Sequence, residues 1–497
     1  MSRAERAQLF GGLLLLYGAL SSGRLMASDE IEMVKSAVTM SGLVPGEGEL
    51  SRYAPGMPLL EVPFIWLARV VTLVLGPEVE VTAARFTLFL LPPLLGALCG
   101  LLTCLLALRM GQSRRAALVS ALLASLGSPL LVYATRLLSE LPQAVVVLLA
   151  VWAVHDEKQS PEAQAPRLGA AMSAMCIIKP FTMILVGAPL GLLLLLRAWR
   201  GNIDQRVGAC LRVTAGAVLA AVPGVAIYAA FNMARYGTVV DQGYANEGFS
   251  YDVITGLYGQ LLSSGTGLLV FMPLALPALA SLALATSSST TTQRWALLGV
   301  PAAVMLGYGL WWSWHGGWAW GARFVVPVLP LLALAAGGMD WNAGPHWRRH
   351  ALVVLGVLSV LVQLPGVAVS FQDYAAHVFQ ACQSTFPNRF TLADPERMFY
   401  DDQTNVHFIP MFSPPLGHAW MALERAFSLG LPAPWEHLKL CQPVVVPPAP
   451  LEFWWSRMAA TQPQLAGFAY TSALALLAGG ATLLWRTWRG TTPSVDA

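Results

Sequence analysis

The sequence has 497 residues, of which 56% are hydrophobic and only 11% are charged, with a formal net charge of +3. A soluble protein of this length could not cover its surface with so few charges, so a soluble fold is excluded. The small net charge gives no sign of a nucleic-acid partner. Several apolar runs reach the roughly 18–20 residues that cross a bilayer, which indicates an all-α polytopic membrane protein.

Apolar segments along the chain predict about twelve membrane crossings. The block 168–196 is too long for one span and is interrupted by Lys179-Pro180. We therefore expect two short helices here, forming a hairpin whose ends return to the same side. The stretch 58–75 carries Glu61 and two prolines and predicts an interfacial helix. The other predicted spans are 8–26, 86–108, 116–133, 138–154, 212–233, 268–286, 295–312, 324–337, 351–369 and 465–485.

The distribution of Lys and Arg in the short loops places the N-terminus in the cytoplasm. Carboxylates concentrate on the other side of the membrane, in a long first outside loop expected at 27–84. A small soluble segment over 370–464 is expected on that same side. The chain then divides into a transmembrane core over 1–369, this outside segment, and a last helix with a cytoplasmic tail over 465–497.

The chain has six cysteines, and four of them lie in or beside apolar spans, where a thiol behaves as a small hydrophobe. Cys382 and Cys441 both fall in the outside segment and could form a disulfide if that compartment is oxidising. No Cys-x-x-Cys spacing indicates a metal site.

The loop after the first span begins with two adjacent carboxylates, Asp29 and Glu30. Ionisable groups so close to a bilayer are costly unless they are paired or have a function. Asp29 could act as a general base, with Glu30 as its partner or its replacement. The alternative is structural, because Asp29 and Glu32 have the spacing of a helix capping box. A capping Asp can also be catalytic, so both readings stay open.

Basic residues also lie on or near the outside face, against the usual orientation bias, and could stabilise a leaving phosphate. They are Arg52, Arg136, Lys179 and Arg323, with Tyr53 beside the first of them. The alternative for each is a side chain that snorkels to the interface. Arg136 and Glu140 have the spacing of an i,i+4 ion pair, which could equally be an ordinary helix-end pair.

Arg323 is the strongest basic candidate, because it ends a short outside loop rich in tryptophan and glycine. The glycines allow close backbone approach to a ligand, and guanidinium suits a pair of phosphate oxygens. His315 could bind phosphate or metal, although a lone histidine among aromatic residues is more often structural. The candidates for substrate binding are Glu140, Tyr244, Trp314, His315 and Trp318.

A divalent metal is neither required nor excluded by the sequence. Asp241, Glu247 and Asp252 could join Asp29 as oxygen ligands of Mg or Mn. No tight Asp-x-Asp spacing is present, and no other cofactor is implied.

Six short motifs follow one another in a consistent membrane placement. They are Ser28-Asp29-Glu30, Arg52-Tyr53-Ala54-Pro55-Gly56, Thr135-Arg136-Leu137-Leu138-Ser139-Glu140, Tyr236-Gly237…Gly243-Tyr244, Ser263…Gly267-Leu268 and Trp314-His315-Gly316-Gly317…Arg323-Phe324. From Leu9 to about Ala336 the chain resembles the polytopic glycosyltransferases of the GT-C class, particularly the bacterial relatives of protein O-mannosyltransferases and aminoarabinose transferases. The segment 370–464 matches nothing in that pattern.

The resemblance implies transfer of a sugar from a polyprenyl-phosphate donor to an acceptor glycan, lipid or protein. It implies catalysis on the non-cytoplasmic face of the bacterial inner membrane, without a nucleotide sugar. It further implies Asp29 as the general base and phosphate contacts near Arg52 and Arg323. Members of the family often have Lys where Arg52 stands, so the phosphate geometry differs in detail.

Two other classes remain as alternatives. A transporter or flippase for a lipid-linked or anionic substrate also predicts many spans and a broken helix at Lys179. Broken helices in transporters tend to occur in pairs within repeated halves, and this chain shows one break and no repeat. A non-catalytic assembly subunit would have no need of Asp29.

Overall fold

The computed structural model describes residues 1–43, 50–201, 203–239, 241, 243–244, 247–284, 290–317, 319–382, 407–436 and 446–490. Within these ranges the chain is helical and contains no strand. The helices are, in chain order, α1 Arg3–Leu20, α2 Ser28–Met40, α3 Gly56–Leu75, α4 Glu80–Leu88, α5 Leu91–Arg109, α6 Arg114–Leu126, α7 Leu130–Tyr133, α8 Glu140–Val154, α9 Pro161–Ile178, α10 Pro180–Trp199, α11 Arg206–Tyr236, α12 Val253–Leu262, α13 Leu268–Phe271, α14 Ala275–Ala283, α15 Thr291–Gly309, α16 Leu329–Gly337, α17 His346–Leu361, α18 Gln363–Ala368, α19 Phe371–Cys382, α20 Pro414–Phe427, α21 Trp454–Thr461 and α22 Ala466–Arg489.

Six helical stretches among the described residues are long and apolar enough to cross a membrane. They are Gly56–Leu75, Pro77–Arg109, Pro180–Trp199, Ile203–Tyr236, His346–Ala368 and Pro463–Arg489. The chain is therefore a multi-pass membrane protein, while the count of about twelve crossings stays a prediction. The length and composition of α3 also allow it to cross, so its interfacial placement stays a prediction as well.

Two predicted spans are each interrupted by three non-helical residues in the structure. The segment 116–133 is split into α6 and α7, and 268–286 is split into α13 and α14. Pro129 and Pro273 lie within these breaks. Proline has no backbone N–H to donate and disfavours helix in the residue before it. The expectation of continuous helices across these prolines was wrong for that reason.

The break at Lys179 lies at the tip of a helical hairpin. The helices on either side have 18 and 20 residues, which is about 27 and 30 Å, so they are not the short helices that we expected. Arg197 near the end of α10 donates to the carbonyls of Glu157 and Gln159, at 3.2 and 2.9 Å, just before α9 begins. The two ends therefore return to one side, as predicted, and Lys179 lies at the opposite end.

The centre of the bundle is formed by α8 and α16. Every residue of α16 is buried, as are nearly all residues of α8. A 3-10 turn, Arg323–Val328, leads directly into α16, and α8 begins at Glu140. Arg323 and Glu140 thus stand at neighbouring ends of the two most buried helices, where burial strongly favours pairing of their charges.

The helices α1 and α22 pack closely through glycines. A Cβ on Gly12 would lie 3.1 Å from the carbonyl oxygen of Gly480, and one on Gly480 would lie 2.9 Å from that of Gly12. Neither position has room for a side chain. At the outer end of α1, the indole nitrogens of Trp454 and Trp455 donate to the carbonyls of Gly18 and Ala19.

The described part of the segment 370–464 packs on the end of the bundle that carries Asp29. Arg24, after α1, lies 3.0 Å from Glu452 and 3.6 Å from Asp373. The amide of Gly265 donates to the carbonyl of His407 at 2.9 Å. Cys441 and the side chain of Cys382 lie outside the described residues, so their pairing stays a prediction.

Candidate active site

The side chain of Asp29 lines a cavity and does not cap α2, because the neighbouring carboxylate of Glu30 forms the capping hydrogen bonds. The Oε2 atom of Glu30 accepts from the amides of Met26 and Ala27 at 2.6 and 2.9 Å, and its Oε1 accepts from Leu137 at 2.9 Å. The first two bonds satisfy donors at the start of α2 that have no partner within the helix, and the third ties α2 to the loop before α8. Glu30 is fully buried and faces away from Asp29. The structure thus caps α2 with Glu30, and not with the Asp29 and Glu32 box considered from the sequence.

The carboxylate of Asp29 is held on both oxygens. Its Oδ2 lies 2.7 Å from Nη2 of Arg323, and its Oδ1 accepts a hydrogen bond of 2.7 Å from the hydroxyl of Tyr53. Burial alone would raise the pKa of Asp29, but the Arg323 charge and the Tyr53 hydroxyl outweigh it and lower the pKa to about 2. Asp29 is therefore ionised and oriented.

Arg323 connects Asp29 to Glu140. Its Nε atom donates to Oε1 of Glu140 at 2.6 Å, so one guanidinium binds two carboxylates. The Glu140 side chain is only 2% exposed and depends on this partner. Glycine at position 316 allows the loop backbone to lie close to Arg323. Its φ is +79°, and a Cβ there would lie 2.6 Å from Cβ of Arg323.

A cavity of about 860 Å³ opens beside Asp29 and Arg323. Lys179, at the hairpin tip, points its ammonium between the rings of Tyr244 and Phe324, 5.8 Å from each centroid. No carboxylate among the described residues forms an ion pair with Lys179. A half-buried ammonium held only by aromatic faces is an unsatisfied donor of three hydrogen bonds, which suits an anionic ligand.

Arg52 closes the same cavity from the opposite wall. Its Nη1 lies 2.9 Å from Oε1 of Glu247, and its guanidinium lies 5.2 Å from the ring of Tyr244. Trp312 donates to the other oxygen of Glu247 at 3.2 Å. This pair is more exposed than that of Arg323, so less energy would be needed to exchange its carboxylate for another anion.

The remaining wall of the cavity is aromatic. Phe324 stacks on Tyr308 with 4.2 Å between ring centroids, and Phe181 meets Tyr308 edge-on at 5.2 Å. Phe249 lies 4.2 Å from Phe181 and 4.9 Å from Trp311. Such a surface can hold an apolar chain or the face of a sugar ring.

Arg136 lies apart from this group. It is 8% exposed and contacts the sulfur of Met26 in a separate, smaller cavity of about 50 Å³. Glu140 pairs with Arg323, so the predicted Arg136 and Glu140 pair is not formed. The i,i+4 spacing does not apply here, because α8 begins only at Glu140 and Arg136 precedes it outside the helix.

Trp314 and His315 are buried beneath the cavity and do not line it. Nδ1 of His315 accepts from the amide of Gly317 at 3.0 Å, and its ring stacks on His407 at 4.6 Å. Burial lowers the pKa of His315 to about 4. Both residues therefore support the loop that carries Arg323. Trp318 lies outside the described residues.

The described residues contain no group of three or more His, Cys, Asp or Glu side chains that could hold a metal. Glu247 is paired with Arg52, and Asp252 caps α12 through the amide of Thr255 at 2.8 Å. Asp241 lines the cavity and accepts from the amide of Gly243. Each of these carboxylates thus has a partner of its own, and Asp241 and Glu247 line the same cavity as Asp29.

The sequence alone gave no reason to single out Asn232 and Arg235. Both lie near the end of α11 and contact the loops that carry Arg52 and Tyr53 on one side and Tyr244 on the other. An arginine at the C-terminus of a predicted span normally indicates an interfacial anchor or a favourable helix-end charge. The contacts of Arg235 with the backbone of the Arg52 loop become apparent only in the three-dimensional structure.

No family model and no curated protein sequence matches the chain. It is similar to a crystal structure of ArnT from Cupriavidus metallidurans bound to undecaprenyl phosphate, with 12% identity, a TM-score of 0.49, and coverage of 97% of this chain and 74% of that one. It is also similar to the apo structure of the same protein, with 15% identity, a TM-score of 0.47, and coverage of 96% and 75%.

Proposed function

We propose that this chain is a membrane glycosyltransferase that moves a sugar from a polyprenyl-phosphate donor to an acceptor on the non-cytoplasmic face of the bacterial inner membrane. The observation that carries the proposal is one cavity lined both by an oriented carboxylate, Asp29, and by an ammonium, Lys179, that forms no ion pair with a carboxylate of the described residues. The transferase needs a base for the acceptor and a cation for the leaving phosphate.

The cations of the cavity favour a phosphate-bearing donor. Lys179 forms no ion pair with a carboxylate in the described part of the chain, and Arg52 and Arg323 line the same cavity. Three converging cations suit a phosphate whose negative charge increases as the sugar leaves. The aromatic wall and the position at the ends of membrane helices favour a lipid-linked donor over a soluble nucleotide sugar.

Asp29 is proposed as the general base. The acceptor hydroxyl oxygen forms a bond to the anomeric carbon while the bond from that carbon to the phosphate oxygen breaks. The electron pair leaves with the polyprenyl phosphate, and the hydroxyl proton passes to Asp29, from which water removes it. Tyr53 and Arg323 hold the carboxylate so that one oxygen lone pair stays directed into the cavity.

The low pKa of free Asp29 is compatible with this role, because donor binding changes its surroundings. A phosphate bound near Arg323 weakens the field of that cation at Asp29 and adds negative charge to the cavity. Both effects raise the pKa of Asp29 from about 2 and make it a better proton acceptor. The ion pair thus keeps the base ionised until the donor arrives.

A transporter or flippase is less well supported. Lys179 stands at the tip of a hairpin between two helices of 18 and 20 residues, and not at a break within one span. A flippase would also have no use for a carboxylate oriented on both oxygens. A flippase predicts a different result in the experiment that follows.

The test compares cells that make the parent protein, the Asp29→Asn variant, or neither. We expect the variant and the null cells to lose the same glycan modification and to accumulate the same polyprenyl-phosphate sugar, measured by mass spectrometry of lipids and envelope glycans. A flippase predicts instead that Asp29→Asn cells keep the modification. The proposal is wrong if neither the donor pool nor any glycan differs among the three.

A further inference from the structure

Two side chains one turn apart at the end of α11 hold both loops of the cavity wall. Asn232 is fully buried, and Arg235 is half-buried, with its guanidinium over the rings of Phe231 and Tyr236 at 4.8 and 4.5 Å. Nη2 of Arg235 donates to Oδ1 of Asn232 at 2.8 Å. The two side chains therefore act as one rigid unit, which we call the α11 clasp.

One side of the clasp brackets Arg52. Nη1 of Arg235 donates to the carbonyl of Ser51 at 2.9 Å and to that of Tyr53 at 3.1 Å. One guanidinium thereby fixes the position of the backbone on both sides of Arg52. The side chains that emerge from this turn are Arg52, in the cavity wall, and Tyr53, which donates to Asp29.

The other side of the clasp, Asn232, holds the loop that follows α11. Nδ2 of Asn232 donates to the carbonyl of Val239 at 3.2 Å. The loop that starts there carries Tyr244, whose ring faces Arg52 and Lys179, and Glu247, which pairs with Arg52. Both partners of the Arg52 and Glu247 pair thus come from loops attached to the same helix end.

We propose that the α11 clasp is the positioning element of this site, and that Asn232 and Arg235 act on the donor phosphate through Arg52 and Tyr244 without touching the donor. Hydrogen bonds from a charged donor are stronger than those between neutral groups, so two of them can decide the position of a short loop. The link to the donor rests on the proposed function, whereas the attachment of the two loops does not.

The first test measures the loops directly. In Arg235→Ala we expect faster hydrogen exchange in peptides covering both 50–55 and 237–249, with little change elsewhere. Arg197→Ala is the matched control, because Arg197 also bridges two backbone carbonyls, but at the hairpin ends beside Glu157 and Gln159. It should loosen only that turn. Unchanged exchange at 50–55 in Arg235→Ala would overturn the proposal.

The second test is a double-mutant cycle on binding of undecaprenyl phosphate in nanodiscs, followed by the fluorescence of Trp311 and Trp312 in the cavity wall. Arg235→Ala and Arg52→Ala should each weaken binding about 10-fold. The double variant should be no more than about 2-fold weaker than the poorer single variant, because both act through one group. Additive losses of about 100-fold would overturn the clasp as a positioning device.

A further variant, Arg235→Lys, separates folding from positioning. Arg235→Lys keeps the charge but can reach only one carbonyl at a time, so it should recover part of the binding, with normal expression and melting temperature. Full recovery of binding would show that the charge alone matters, and it would contradict the role of the two hydrogen bonds to Ser51 and Tyr53. If the parent binds no undecaprenyl phosphate while Arg235→Ala still loosens both loops, the proposed donor is wrong and the clasp stands.

Discussion

The Nη2 atom of Arg323 lies 2.7 Å from Oδ2 of Asp29 in the wall of the cavity. The candidate base and the candidate phosphate ligand are therefore each other's partner in this structure. In the proposed mechanism, a donor phosphate that approaches Arg323 competes with Asp29, and the loss of that contact increases the basicity of the carboxylate. Donor binding and activation of the base would thus be coupled through one ion pair.

Asp29→Asn should lower turnover by roughly 10²–10⁴-fold, the usual scale for a general base. Folding should be retained, because Glu30 and not Asp29 caps α2. Turnover of the purified variant with a polyprenyl-phosphate sugar checks this. A loss of only a few-fold would remove Asp29 from the mechanism.

The control for that variant is Glu30→Gln. Its carboxylate accepts three backbone amides, and an amide side chain would direct hydrogens at some of them. We expect a lower melting temperature but a smaller loss of turnover per folded molecule than for Asp29→Asn.

Arg323→Ala should reduce activity more than Arg136→Ala. Arg323 binds Asp29 and Glu140 in the cavity, whereas Arg136 lies in a separate pocket against Met26. Loss of Arg323 also leaves the buried Glu140 unpaired, which costs roughly 3–5 kcal/mol of stability. Activity is therefore compared per folded molecule, after size-exclusion chromatography. Equal, small losses in both variants would argue that neither touches the donor.

Lys179→Met should weaken binding of polyprenyl phosphate by about 10- to 100-fold, the value of one or two charge-assisted hydrogen bonds. The melting temperature should stay the same or rise, because the ammonium has no carboxylate partner among the described residues and methionine suits the aromatic wall. Lys179→Arg is the control that keeps the charge. A drop in stability with unchanged binding would assign Lys179 a structural role.

The stacked pair His315 and His407 predicts acid lability. Burial lowers the pKa of His315 to about 4 and that of His407 well below its usual value, while an unfolded histidine titrates near 6.5. The unfolded chain therefore binds more protons below pH 6.5. Stability is complete above that pH and falls as the pH drops from 6.5 through 4, by about 3 kcal/mol for His315.

Melting temperatures between pH 4.5 and 7.5 check this expectation. His407→Phe removes a titrating ring whose two nitrogens have no hydrogen-bond partner among the described residues, and it keeps an aromatic ring beside His315. The variant should show a flatter pH dependence than the parent. An equally steep acid loss would place the sensitive groups elsewhere.

The topology predicts that Asp29 and the segment 370–464 share the non-cytoplasmic side. Single cysteines replacing the exposed Leu43 and Thr461 should react with an impermeant maleimide from outside intact cells. A cysteine replacing Arg115 should react only after permeabilisation. Labelling of Leu43→Cys or Thr461→Cys solely from inside would reverse the assigned orientation.

Sequence reasoning selected candidate residues that the structure places around one cavity, but it did not show how these residues pair. Asp29, Arg52, Lys179 and Arg323 were singled out from charge and membrane placement, and one cavity brings them together. Glu140 was expected to pair with Arg136 by helical spacing and pairs with Arg323 instead. Local spacing has no information about a partner 183 residues away.

The helices show the same limit. The break at Lys179 and the return of the hairpin followed from one proline and the length of the apolar block. The true start of α9 at Pro161 did not, because its first two turns carry polar residues that hydropathy assigns to a loop. The role of Arg235 depends on two backbone carbonyls in one distant loop, those of Ser51 and Tyr53, and backbone groups have no signature in a sequence.

The glycine contact between α1 and α22 has a consequence for biosynthesis. The loop that begins with Asp29 follows α1, and α1 is supported by Trp454, 436 residues further along the chain, and by α22 beyond it. Helices inserted into the membrane in order of synthesis leave α1 without this neighbour until translation has passed α22. The Asp29 loop therefore receives its final support late, so ribosome-bound intermediates that contain every cavity residue should still be inactive.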